Sequence, residues 1–353
     1  MPRWSAALPA AIATAALICT GCAGGGGNGV VAAAATKPSF AASSQRTAAR
    51  IEPASSAAHI YAAQELNGRQ LSDPTIHEYN EQGNALATSG SFPNLGYFHY
   101  PAYDSHNQSV YVLDAAQDGT SSVTVYDGQG VQKHTAGTFA HLPLNPATIL
   151  FDSHNNLLYI LTLSVPATRP SIKAYDEQGY EQKLSASFPN LGVFGYALMY
   201  DAHNGLIYYA GDSTGGAHST PFVAAYDEEG SPQPLSGGFT VNNGPTGMTY
   251  DSHNGLIYVA GVNSPTSTFV VAFDEQGNAQ TLSPGFPADM RASGSIGFDA
   301  HDGLLYATTF DSVEHFHHLD STITAWDEQG NPQELSGRFN HPQVYIGDFV
   351  IAQ

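Results

Sequence analysis

The sequence predicts an all-β fold: a six-bladed β-propeller of four-stranded blades, its ring closed by a C-terminal strand A that joins N-terminal strands B, C and D. Three observations predict it. A unit of about fifty residues repeats along the chain, each unit carries the same two hairpin landmarks, and each chain end holds the part of a blade that the other lacks.

The first landmark is an aromatic residue and Asp, then Ser or Ala, His, and Asn or Asp, leading into an apolar run. It recurs at Asp104, Asp152, Asp201, Asp251 and Asp299, and in each copy a tyrosine follows the Asp by seven residues: Tyr111, Tyr159, Tyr208, Tyr258 and Tyr306. The second landmark is an aromatic residue followed by a variant of Asp-Glu-Gln-Gly, ending at Gly83, Gly130, Gly179, Gly230, Gly277 or Gly330. A phenylalanine follows each of these glycines by nine residues, at Phe92, Phe139, Phe188, Phe239, Phe286 and Phe339.

Between the landmarks lie short runs rich in β-branched and aromatic residues, such as Leu256 to Ala260 and Phe269 to Phe273. Bounded by Asn-Gly or Gln-Gly, they read as strands joined by tight hairpins. Their unbroken apolar character suits strands covered on both faces. Each unit then yields a strand A ending at the first Asp, B running through the Tyr, C ending at the second aromatic-Asp pair, and D reaching the Phe. Four such strands at this period make a propeller blade.

The ends set the number of blades. His59 to Gln64 matches strand B and is followed by a C and a D, with no A before it; Tyr345 to Ile351 stands where an A belongs, and there the chain stops. Pairing the two closes the ring and removes two open sheet edges that would otherwise invite association. Both landmark hairpins emerge on one face of the disc. On the other face the B-to-C spacing runs from fifteen residues (Tyr258 to Phe273) to twenty (Tyr306 to Trp326). Loops that vary on a rigid scaffold are where binding usually sits.

Ahead of the ring, residues 1 to 22 carry Arg3 and then an apolar stretch, Ala6 to Ile18, too short to span a bilayer. This is the pattern of a secretory signal. Its end, Thr20-Gly21-Cys22, resembles a bacterial lipoprotein processing site, which implies Cys22 as the lipid-bearing residue and, without Asp after it, outer-membrane or cell-surface sorting in a Gram-negative source. Cys19 stands where that pattern prefers Leu. Residues 23 to 57 are rich in Ala, Gly, Ser and Thr and cannot bury a core, so they read as a disordered Ala/Gly/Ser linker. The expected domains are 1–22 signal peptide, 23–57 linker and 58–353 propeller.

The formal net charge of −20 excludes nucleic acid as a partner, because Lys133, Arg169, Lys173, Lys183, Arg291 and Arg338 are spread around the ring and assemble no basic patch. Both cysteines, Cys19 and Cys22, precede the ring, which therefore has neither a disulfide nor thiol chemistry. Packing and closure have to hold it.

The blade Pro245-Thr-Gly-Met-Thr-Tyr-Asp, then Gly255-Leu-Ile-Tyr-Val-Ala, then Val270-Val-Ala-Phe-Asp and Gly277 resembles the NHL-type repeat and its six-bladed relatives, the virginiamycin-lyase-like and regucalcin/gluconolactonase-like proteins. The resemblance implies the propeller fold for every blade and leaves many activities open. Gly261 stands where NHL blades commonly carry Asp, and no Arg enters strand C. A lactonase-like reading implies a Glu, an Asn and an Asp around one metal ion near the central channel. The strand A segments offer Tyr100, Thr148, Tyr196, Thr246 and Ser295, with Asp348 as their one carboxylate before the hairpin landmarks.

The landmark histidines, His106, His154, His203, His253 and His301, are expected around one rim in turn-stabilising or inter-blade roles, beside solvated Asp-Glu turns. In the longest loop Glu314, His315, His317 and His318 are candidate ligands for zinc, copper or nickel. One divalent metal ion is the sole cofactor the residues suggest. Near the strand A starts, His99, Tyr100, Tyr196, Tyr345 and Asp348 are candidate ligand-binding residues, the aromatics exposed beside Phe98 for stacking on a sugar or peptide. The expected function is an exported, lipid-anchored binding or interaction module on the bacterial cell envelope. Its expected partner is a small molecule, glycan or protein at the variable-loop face, with membrane contact through the lipid anchor alone and a monomeric state. The alternatives are a metal-assisted lactonase or lyase and a purely structural envelope protein.

Overall fold

The computed structural model describes residues 58–352 apart from 66–74, 89, 94, 96–97, 117–119, 143–145, 163–168, 214–219, 242–243, 265–266, 288–291, 311–320 and 340–344. The signal and linker segments, Cys22, and the loop with Glu314, His315, His317 and His318 lie outside the described residues. Among the described residues no helix is long and apolar enough to cross a membrane.

Among the described residues every regular element is a strand, and the strands form six antiparallel sheets in a ring. Blade 2 is Phe98–Asp104 (A), Ser109–Ala115 (B), Ser121–Asp127 (C) and Gln132–Lys133 (D); blade 3 is Pro146–Asp152, Leu157–Thr162, Ile172–Asp176 and Glu181–Gln182. Blade 4 is Phe194–Asp201, Leu206–Asp212, Pro221–Tyr226 and Pro232–Gln233; blade 5 is Pro245–Asp251, Leu256–Ser264, Ser267–Asp274 and Ala279–Gln280. Blade 6 is Ala292–Asp299, Leu304–Phe310, Ser321–Trp326 and Pro332–Gln333. Blade 1 joins the chain ends: Tyr345–Ala352 is its A strand, paired antiparallel with His59–Glu65 (B), which pairs in turn with Thr75–Asn80 (C). Its fourth strand is reduced to the single bridge between Tyr79 and Ala85.

The B strands are covered on both faces, as their apolar runs anticipate; all seven residues of Ser109–Ala115 are buried. The core is divided into six apolar clusters, each straddling one blade junction. Tyr208 and Val223 of blade 4, for example, share a cluster with Met248, Ile257 and Phe273 of blade 5. Burial between blades, at about 25 cal/mol per Å² of apolar surface, is therefore what ties each sheet to the next.

Strand D departs from expectation. It holds two residues in each of blades 2 to 6 and does not reach the landmark phenylalanine. The chain leaves the sheet, and the phenylalanine instead reaches the following blade. The N–H groups of Phe92, Phe139, Phe188 and Phe239 donate to the carbonyls of Gly130, Gly179, Gly230 and Gly277 at 3.2, 3.0, 3.1 and 3.0 Å. Phe339 completes the circuit on Gly83 of blade 1.

Candidate functional site

The six A strands are innermost and touch one another in sequence around the ring. They enclose a central channel of about 640 Å³. Five of the six carry a β-bulge, with the extra residue in strand A, at the end where the strand starts. The register shifts lie between Pro146 and Thr148, Gly195 and Ala197, Pro245 and Gly247, and Ala292 and Ile296, and opposite Ala63 and Gln64. A bulge adds a residue, bends the strand and re-aims side chains. Here the bulges ring the mouth on the variable-loop face, where Tyr196, Thr246 and Ser295 are among the unpaired residues. A propensity reading had no means of seeing them, because the shift is defined only against the partner strand.

Tyr100, Thr148, Tyr196, Thr246, Ser295 and Asp348 all line the channel. Asp348 is half-buried, and its Oδ1 accepts from the Ser295 hydroxyl and, at 2.8 Å, from the Phe349 N–H. Burial pushes its carboxyl up to about 6 in spite of those two bonds. The Tyr196 hydroxyl donates to Oδ2 of buried Asp212 at 2.6 Å; burial and then that carboxylate push the phenol well above its usual range.

His99 is a correction. It is buried, 1% exposed, with Nδ1 and Oδ1 of Asp114 2.6 Å apart. Successive residues on a strand point to opposite faces, so with Tyr100 lining the channel its neighbour His99 turns into the blade, opposite Asp114 in the register. It is a core histidine, not an exposed stacking group. Tyr345 opens the A strand of blade 1 opposite Glu65; of that residue the backbone alone is described. The residue missed by sequence reasoning is Asp212, which fixes the Tyr196 ring. Its position just beyond a Tyr-Tyr-Ala-Gly run was the available clue.

At the opposite end, the landmark histidines bridge blades. His106, His154, His203 and His301 place Nδ1 beside an Oε1 of the next blade's turn, on Glu177, Glu228, Glu275 and Glu81, at 3.0, 2.7, 2.6 and 2.5 Å. His253 lies 3.7 Å from Glu328 and pairs through Nε2 with the Ala300 carbonyl at 2.9 Å. Beneath each histidine the landmark Asp is buried, Oδ1 accepting the histidine's own N–H at 2.8 to 2.9 Å. Oδ2 has no hydrogen-bond partner among the described residues. Burial pushes Asp152, Asp201, Asp251 and Asp299 up to about 6. Three of these junctions bring an Asp, His and Glu ligand atom within 4.8 Å of one another, as at Asp201, His203 and Glu275, and a fourth groups Glu81, Asp299 and Asp302. These groups stand away from the bulged mouth.

No protein-family model matches the sequence, and no match was found among curated proteins. Solved structures are similar in fold. TolB from Acinetobacter baumannii aligns over 82% of this chain with a TM-score of 0.53 at 13% identity, and this chain spans 66% of its length. A TolB-assigned protein of Agrobacterium tumefaciens aligns over 84% of this chain and 96% of its own, with a TM-score of 0.52 and 13% identity. A gluconolactonase of Xanthomonas campestris aligns over 83% of this chain and 89% of its own, with a TM-score of 0.49 and 12% identity. At identities this low, the two likenesses with TM-scores of 0.53 and 0.52 carry the propeller fold and nothing finer.

Proposed function

We propose that the protein is an exported binding module of the bacterial cell envelope, tethered by a lipid on Cys22 and taking a ligand into the bulged mouth of its channel. The observation that carries this reading is the chemistry of that mouth. It combines the aromatic rings of Tyr100 and Tyr196 with the hydroxyls of Thr148, Thr246 and Ser295 and one carboxylate, Asp348. Concave, largely apolar sites with a few placed polar groups are what small ligands use. The lactonase or lyase alternative calls for several oxygen ligands around one metal ion, in keeping with hard-cation preference. Among the described residues the groups of three potential ligands lie at the blade junctions, and the channel lining holds Asp348 as its one carboxylate.

Two measurements test the proposal. Growth of an expressing strain with radiolabelled palmitate should label the protein, and Cys22→Ser should abolish the label and release the ring from membranes; label retained in Cys22→Ser rejects the anchor. A panel of glycans and short peptides screened by ligand-observed NMR should yield a binder that is weakened about tenfold or more by Tyr196→Ala, the loss expected when an aromatic anchor of a pocket is removed. Binders indifferent to both Tyr100→Ala and Tyr196→Ala would place recognition elsewhere.

A further inference from the structure

Resting on the reading of the channel mouth as a binding site, we infer that the ligand it takes is a protonated amine with an apolar or aromatic body, its ammonium group held by Asp348 and Ser295. The inference starts from what the channel lacks. Among the described residues that line it there is no lysine, arginine or histidine. Two further carboxylates are engaged behind the lining: Asp212 accepts from the Tyr196 hydroxyl, and Asp114 sits against His99 inside blade 2. The chain as a whole carries 31 Asp and Glu against 11 Lys and Arg. A channel with low-dielectric walls in such a protein focuses a negative potential along its axis. It attracts cations and repels anionic ligands, phosphorylated or carboxylate-bearing ones included.

The second step concerns Asp348 itself. Its Oδ1 is occupied by the Ser295 hydroxyl and the Phe349 N–H. Both hydrogen bonds found for this side chain among the described residues fall on Oδ1, and the side chain lines the channel. A half-buried carboxylate held through one oxygen is an oriented acceptor, and an ammonium is the donor that best offsets its desolvation. Ser295 presents an oxygen that can accept from the same group. Blade order puts Asp348 on blade 1 and Tyr196 on blade 4, three blades away across the ring, with Tyr100 on the neighbouring blade 2. A ligand anchored at Asp348 therefore extends its body toward Tyr196, and the Tyr100 ring flanks its charged end, where a cation is favoured by an aromatic face.

The test uses the full-length protein in detergent and three probes that share a ring and a two-carbon frame: 2-phenylethylamine, 2-phenylethanol and phenylacetate. Affinities are read by ligand-observed NMR titration near neutral pH. The expected result is amine tighter than alcohol by about fivefold or more, with phenylacetate weakest, and the amine preference over alcohol erased in Asp348→Asn. Should Asp348→Asn fail to fold, a salt titration of the native protein replaces it: the amine's advantage should shrink with ionic strength and alcohol affinity should not. Equal binding of amine and alcohol, a preference for phenylacetate, or an amine preference that survives Asp348→Asn overturns the inference and leaves the channel-binding reading standing. If none of the three probes binds and no member of the glycan and peptide panel does, the binding reading itself falls.

Discussion

Gly179 and Gly205 look alike in the sequence, each closing a hairpin, and both have left-handed backbones, at φ +86° and +71°. Their surroundings differ. A Cβ on Gly179 would meet the Phe139 ring at 2.8 Å, whereas one on Gly205 would meet nothing within 4 Å. Gly179→Ala should therefore cost about 2–4 kcal/mol, backbone strain plus overpacking, and Gly205→Ala about 1 kcal/mol from the backbone alone. Denaturant unfolding of the two variants checks the contrast; equal costs would mean the phenylalanine does not hold that position. Gln108 and Asn156 occupy the same turn position as Gly205 at φ 55° and 58°, so Gln108→Gly should raise the unfolding midpoint. The need for glycine was readable from the turn motif. The reason that five of these glycines, Gly83, Gly130, Gly179, Gly230 and Gly277, are doubly constrained was not, since the ring that presses on each one comes from the preceding blade.

At the scale of the hairpins, each landmark turn is half of a contact made with its neighbour. The strand B tyrosines donate across the junction to the next blade's turn carbonyls: Tyr61 to Gly128, Tyr111 to Glu177, Tyr159 to Glu228, Tyr208 to Glu275, Tyr258 to Glu328 and Tyr306 to Glu81, at 2.7 to 3.1 Å. The histidine-glutamate pairs accompany them at five junctions. At the junction from blade 1 to blade 2 the glutamate position is Gly128. The turns also carry a pH dependence. Burial raises Asp201 and Asp251 from an unfolded value near 3.8 to about 6, against the lowering by the backbone N–H groups of His203 and His253. Raised carboxyls favour the fold most when protonated, so this contribution is full below about pH 4 and is lost as pH rises through 6. The melting temperature should fall between pH 5.5 and 7.5. Asp201→Asn with Asp251→Asn, which keeps the Oδ1 acceptors and removes two charges, should flatten that fall. An unchanged slope in the double variant would place the titration elsewhere.

For the molecule as a whole, closure is the dominant constraint. The A strand of blade 1 pairs with His59–Glu65 and covers a cluster in which Ile346 and Phe349 pack with Ile60, Tyr306 and Phe339. Deleting residues 345–353 removes that strand, exposes two sheet edges and breaks the circuit of inner strands. Loss of the cooperative thermal transition and concentration-dependent aggregation are expected, read by calorimetry and light scattering; a monomeric product with an unaltered transition would show that closure is dispensable.

The repeat by itself determined the blade count, the four-strand plan, the closure by opposite chain ends and the face that carries the landmark turns. Each of these follows from residue spacing, and spacing survives in one dimension. Tertiary structure decided that the phenylalanines leave their own sheets, that His99 is buried against Asp114 while Tyr100 faces the channel, and that bulges gather Tyr196, Thr246 and Ser295 at one mouth with Asp348. Those outcomes depend on register against a partner strand and on contacts between blades about fifty residues apart, and a linear pattern holds neither.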